Sequence, residues 1–197
     1  MQYTIVKSDK FETINWSGGT STQLYIYPED AKYQARNFDF RISSAKVEVE
    51  QSSFTFLPGI SRKIMILEGD ITIAHQNHYT KKLELFDLDA FEGDWETTSM
   101  GKCTDFNLMT AKNTRGELSF QQLLKQESLD YAVDDDCEMV LIYVYSGKIS
   151  LPHPEENQHL DKDNLLLIHQ INSENIRLIA AEDSRLIISK ISRNKKA

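Results

Sequence analysis

The chain of 197 residues has little of what marks a secreted, membrane or nucleic-acid-binding protein. Its two cysteines, Cys103 and Cys137, are far apart and lack a CxxC partner. They read as free thiols of a reducing compartment rather than a disulfide framework. Basic charge is short: 22 Lys and Arg against 30 Asp and Glu give a formal charge of -8. Phosphate backbones need a clustered basic face, so nucleic acid is disfavoured as a partner. The basic cluster Lys190 to Lys196 reads as a solvated tail. No apolar run approaches membrane-spanning length, and the opening MQYTIVKSDK has neither the apolar core nor the cleavage site of a signal peptide. A cytoplasmic protein with no membrane partner is expected. Chemistry-bearing motifs are also scarce. No GxSxG occurs, and no lysine follows Gly18-Gly19 as a P-loop requires.

What the chain does have is strand after strand at short spacing. In Phe38 to Val49, Phe38, Phe40 and Ile42 alternate with Asp39, Arg41 and Ser43, the period of a strand. Ile64 to Leu67 and Ile71 to Ala74 flank the turn Glu68-Gly69-Asp70 as a hairpin. Asp105 to Thr110 closes the first half as another strand. Little helical periodicity interrupts the series, which argues for an all-β barrel or sandwich.

Sliding the chain on itself by 78 residues sets Ile64 to His75 over Ile142 to His153, with Gly69 over Gly147. The same offset sets Phe40 to Ser43 over Leu118 to Gln121, and Asp105 to Lys112 over Asp183 to Lys190. Two similar β units are the simplest account, over residues 1–115 and 116–197. A single sandwich with evenly spaced strands is the alternative.

The stretch FTFLPGISRKIMILEGD, Phe54 to Asp70, carries the most pointed anomaly. Arg62 shares a strand face with Ile64 and Ile66. A cation among isoleucines must find an anion, reach water in a cavity, or destabilise the fold. Upstream, Trp16 stands before Gly18-Gly19 in a loop of small residues. That loop is either a turn or a nest of backbone N–H groups for an anion.

Two β units whose central strand ends in Leu67-Glu68-Gly69 resemble a bicupin. The first cupin metal motif has the shape G(X)5HXH(X)3,4E(X)6G. Counting back from Gly69 puts Arg62 at the place of its glutamate, and Thr55, Phe56, Leu57 and Pro58 about the places of its histidines. No metal and no other cofactor is therefore expected. WSGGTSTQLYIYP, FDFRISSAKV, FTFLPGISRKIMILEG, FEGD and DFNLM, in that order, resemble the HutD/Ves family of bicupins over residues 14 to 190. That resemblance implies a regulatory role in histidine utilisation through a metabolite such as formylglutamate or urocanate, or a stress response. It implies no established reaction.

The resemblance and the strand phase together give a site in the first unit. Arg62 anchors a carboxylate, since a guanidinium matches one bidentately. Asp94 of the FEGD turn and Asn107 are placed nearest it, followed by Arg41 and Glu68, with Trp16, Gly18 and Gly19 at the loop. An internal Arg62–Asp94 salt bridge is the competing structural reading. In the second unit Val140 stands at the Arg62 place, Asn172 at that of Asp94 and Arg185 at that of Asn107. That unit then reads as structural, packing against the first or against a second subunit in a homodimer.

Other candidates are weaker. His75 and His78 have HxxH spacing but sit in a polar hairpin loop, where exposed residues are expected. His153 and His159 have loop surroundings, His169 ends an apolar run, and Asp134-Asp135-Asp136 reads as a solvated turn. Two further readings stand beside the binding protein. One is a cupin-type isomerase, lyase or hydrolase using Asp94 or Glu96 as general base. The other is an interaction module with a vestigial pocket.

Overall fold

The computed structural model describes residues 2–111, 113–152, 157–171 and 175–193. His153, Asn172, Lys195 and Lys196 lie outside them. Among the described residues are nineteen strands and two single-turn 3-10 helices, so period-two alternation governs nearly all regular structure. No helix among them is long and apolar enough to cross a membrane.

Residues Phe11–Thr114 form one unit. Its larger sheet runs, in spatial order, Glu12–Trp16, Gly19–Tyr27, Phe40–Val47, Cys103–Ala111, Ile60–Gly69 and Leu88–Glu92. A second sheet runs Gln51–Ser53, Thr97–Met100, Ile71–His75 and Thr80–Leu83. Ile64 and Ile66 of the first pack with Ile71, Ile73 and Leu83 of the second in one core. The all-β, jelly-roll-like bicupin unit expected from the sequence is what forms, with the sheets open rather than closed into a barrel. The sheets form a jelly-roll-like pair, the arrangement in which two half-apolar sheets bury their inner faces against each other.

The other unit joins the residues up to Lys10 with those from Arg115 on. Its sheets run Gln2–Val6, Leu165–His169, Cys137–Ser146, Ser184–Arg193, Thr114–Leu123, and Ser128–Ala132, Asn175–Ala180, Lys148–Leu151, Gln158–Asp161. The opening strand thus differs from the expected boundary. Its residues Gln2 to Val6 pair with His169 to Leu165, and Tyr3 and Ile5 pack on the core of the second unit. A lone strand of alternating apolar residues is stable only where a sheet edge accepts it, and the pairing supplies that edge.

Strands matched at the 78-residue offset hold the same places in their sheets, down to the bulge. The ladder slips beside Asp105 in one unit and between Val144 and Ser146 in the other. Gly69 (φ +74°) and Gly147 (φ +82°) make the same turn. A Cβ would stand 2.3 Å from the Lys102 carbonyl oxygen at the first and 2.2 Å from that of Asp183 at the second, so only glycine fits. These contacts also correct the overlay. Arg62 pairs with Met109, whereas Val140 pairs with Lys190, so the closing strands match at an offset of 81 rather than 78.

Candidate functional site

Three neighbouring strands of the first unit set up the site in cross-strand rows. Arg41, Met109 and Arg62 form one row, Ser43, Asn107 and Ile64 the next, and Ala45, Asp105 and Ile66 the third. Because side chains alternate, these residues share the inner face, and Phe40, Ile42, Phe106 and Leu108 are buried on the other. Over the polar part of the rows lies a cavity of about 240 Å³. Tyr33 and Phe54 form walls, and the exposed Ile14 and Trp16 lie at the mouth. The volume is below the roughly 300–1,000 Å³ of drug-sized sites, which suits a small metabolite.

Charge inside the cavity comes from Arg41, Arg62 and Asp105, each 5% exposed or less. Arg62 Nη2 donates to Asn107 Oδ1 at 3.0 Å, and its Nε has no partner. The guanidinium lies 4.9 Å from the Phe54 ring and 5.2 Å from that of Phe91, whose faces offset part of the cost of its desolvation. Burial pulls the Arg62 pKa down to about 10, with Asp105 opposing the fall, so the group stays cationic at neutral pH. Arg41 donates from Nε to Gln23 Oε1 at 2.9 Å and from Nη1 to Ser43 Oγ at 2.8 Å, with its guanidinium over the Tyr33 ring. Its pKa too is lowered by burial.

Asp105 is the counterweight. Asn107 Nδ2 donates to its Oδ1, and the Ala45 backbone N–H also lies against it. Burial nonetheless dominates and pushes its pKa up to about 7, against the pull of Arg62. The cavity therefore carries two fixed cations and one carboxyl that titrates near neutrality.

Of the residues placed by sequence, Arg62, Asn107, Arg41 and Trp16 line this cavity together. Asp94 does not. It is exposed, beside Trp95 and Glu96 in a separate surface hollow with Gln76 to His78, and forms no salt bridge with Arg62. The FEGD turn follows the strand that pairs with Arg62 at Phe91, and Asp94 lies three residues beyond that pairing, past the sheet's end. Glu68 is also exposed, accepting from Thr104 Oγ1 at 3.1 Å. The SGGTST loop is shorter than expected, because Gly19 to Thr22 already belong to the strand Gly19–Tyr27. Gly18 and Gly19 shape the turn instead of lining the cavity. A Cβ on Gly18 would meet the Trp16 ring at 2.1 Å, so its bareness lets that ring fold over the backbone.

Asp105, Ser43, Tyr33 and Phe54 were not picked out by sequence. Asp105 stands two residues before Asn107, so the strand period alone carried the signal. His75 reverses the expectation of exposure: it is 3% exposed, with Nδ1 2.8 Å from Thr97 Oγ1 and Nε2 2.9 Å from Asp89 Oδ2. His78 instead stacks on Trp95 at 3.7 Å between centroids, so the two histidines form no metal pair. Asp134 and Asp136 pair with Lys190 and Arg115.

The cupin fold implies a metal at this place, and these residues do not fit one. Arg62 holds a cation where a carboxylate ligand would be needed, and Asp105 is the one carboxylate among the lining residues. Among the described residues no three His, Cys, Asp or Glu side chains gather closely enough to hold an ion. In the second unit the structural register puts Val140, Ile188 and Leu186 at the places of Arg62, Asn107 and Asp105, replacing the expected Arg185. All three are fully buried in its apolar core.

Among curated proteins none matches the chain. A conserved protein of unknown function from Pseudomonas aeruginosa PAO1 is similar in structure, at 20% identity and a TM-score of 0.83 over 98% of this chain and 100% of that one. HutD from Pseudomonas fluorescens SBW25, determined in a formate condition, is similar at 16% identity and a TM-score of 0.73, with the same coverage. The bacterial pirin YhhW from Escherichia coli, determined with nickel(II), is similar at 11% identity and 0.74, again over 98% and 100%. Such identities speak to the fold. The HutD family model matches residues 8–188, and the chain belongs to the HutD family.

Proposed function

We propose that the first unit binds a small carboxylate metabolite, of the formylglutamate or urocanate kind, and that the protein serves regulation in histidine utilisation or a stress response. The observation that carries this reading is Arg62: a buried guanidinium that lines a cavity of metabolite size. A guanidinium in the wall of such a cavity offers an entering carboxylate charge-assisted hydrogen bonds. The HutD family membership supports the histidine-utilisation part of this reading. An enzyme using Asp94 or Glu96 as base is disfavoured, because both lie away from the Arg62 cavity.

Thermal-shift titration with formate, acetate, N-formylglutamate and urocanate tests the proposal. At least one should raise the wild-type melting temperature, and Arg62→Met should abolish the response. No response from the wild type, or an equal one from the variant, would overturn it.

A further inference from the structure

Resting on the carboxylate-binding reading, we infer that Asp105 sets the charge of the ligand the cavity accepts, by taking up a proton when a dianion enters. The cavity lining has three ionisable charges close to one another and away from water: Arg41, Arg62 and Asp105. With Asp105 ionised their sum is +1, which one carboxylate neutralises. With Asp105 protonated it is +2, which matches a dianion. A buried site tolerates net charge poorly, so the protonation state that leaves the filled cavity neutral wins.

The surroundings of Asp105 make it the group that responds. Arg62 acts on it from the strand Ile60–Gly69, while Arg41, two ladder rows away on Phe40–Val47, acts on Arg62. Tyr33 joins the lining from the 3-10 helix Tyr33–Ala35, and Cys103 stands on its own strand. Both guanidiniums stay charged through neutral pH, and the Cys103 thiol is pushed up to about 12 by burial and by Asp105 itself, so neither alternative donates or accepts a proton there. Asp105, raised to about 7, does. An anion beside it disfavours its ionised form further, and the carboxyl then gains a proton with which to donate to the ligand's oxygen. Binding and protonation are thereby linked: anion affinity and Asp105 proton affinity rise together.

The probes are N-formyl-L-glutamate and N-formyl-L-glutamine, the same skeleton with two charges and with one. Isothermal titration of the full chain in buffers of different ionisation enthalpy counts the protons taken up. At pH 8 the dianion should take up close to one proton, and its affinity should fall about tenfold per pH unit above 7. The monoanion should take up less than half as much and vary correspondingly less. In Asp105→Asn the uptake should vanish. The wild-type measurement stands even where that variant fails to fold. Binding of N-formyl-L-glutamate with no proton uptake, or equal uptake by both probes, overturns the inference and leaves the carboxylate site intact. Failure of both probes to bind at any pH from 6 to 9 overturns the inference, and where formate, acetate and urocanate also give no response the reading it rests on falls with it.

Discussion

Asn107 Oδ1 takes a hydrogen bond from Arg62 Nη2 at 3.0 Å, while the same amide's Nδ2 donates to Asp105. One neutral side chain thus spaces a buried cation from a buried carboxyl, using a donor and an acceptor that no charged residue combines. Asn107→Ala should therefore take a hydrogen bond from each partner, leaving Asp105 only the Ala45 N–H, and destabilise the protein by about 2–4 kcal/mol. Urea denaturation checks this. A loss under 1 kcal/mol would show that the relay is dispensable.

Arg62→Met tests whether the guanidinium serves stability or binding. Buried charges often cost more in desolvation than their contacts return, and methionine fills a similar length of cavity. Because the change also leaves Asn107 Oδ1 without its donor, the variant should lose about 1–3 kcal/mol of stability, while its response to carboxylates is lost. A larger loss would instead make Arg62 a structural residue.

The pH dependence of stability should carry the signature of Asp105. Its folded pKa is raised from 3.8 to about 7, so between these values the folded state binds the proton and the unfolded state does not. The stabilising contribution is complete below the unfolded value and is lost as pH rises through about 7. Unfolding free energy should fall from pH 4 to pH 8 more steeply in the wild type than in Asp105→Asn, by a few kcal/mol. Equal slopes in denaturant melts across that range would contradict the assignment.

His75 and Asp89 form a second buried pair, at 2.9 Å with both side chains no more than 4% exposed. Removing one partner takes a buried hydrogen bond from the other, at a cost of about 1–3 kcal/mol, although Asp89 keeps Tyr79 Oη and Lys81 Nζ and His75 keeps Thr97 Oγ1. His75→Phe with Asp89→Leu should cost less than the sum of the single changes. A double-mutant cycle measured by chemical denaturation gives the answer, and additivity would mean that the pair is not coupled.

The glycines at the Trp16 turn should respond differently to alanine. At Gly19, φ is +149° and a Cβ would lie 1.9 Å from the Lys46 carbonyl oxygen, so backbone must move. At Gly18 the obstacle is the exposed Trp16 ring, which can swing away. Gly19→Ala should cost about 2 kcal/mol or more. Gly18→Ala should cost under 1 kcal/mol but shift the tryptophan fluorescence. The reverse ranking would show that the Trp16 ring is held more firmly than the turn.

Much of this molecule was legible in local pattern. Alternation at Phe40–Val47 and Ile60–Gly69 gave strands, and Gly69 against Gly147 marked the repeat, because strand period and turn geometry depend on adjacent residues. Arg62 stood out for the same reason: a cation on an isoleucine face is anomalous wherever the strand lies. Its partners were another matter. Asp94 belongs to a recognisable motif yet sits past the end of the sheet, while Asp105, one ladder row from Asn107, is the carboxyl that shares the cavity. The ungapped overlay likewise missed a three-residue slip that puts Ile188, not Arg185, opposite Ile142.

The sequence by itself determined the strands, the two-unit plan and the buried cation. Tertiary structure decided which carboxyl answers that cation, that His75 is interior, and that the opening strand serves the second unit. Each of these depends on register between strands separated in the chain, 47 residues for Arg62 and Met109 and 22 for His75 and Thr97, or on which sheet edge accepts a strand. A slip of one residue exchanges the two faces of a strand, and no local pattern records how far a distant partner has slid.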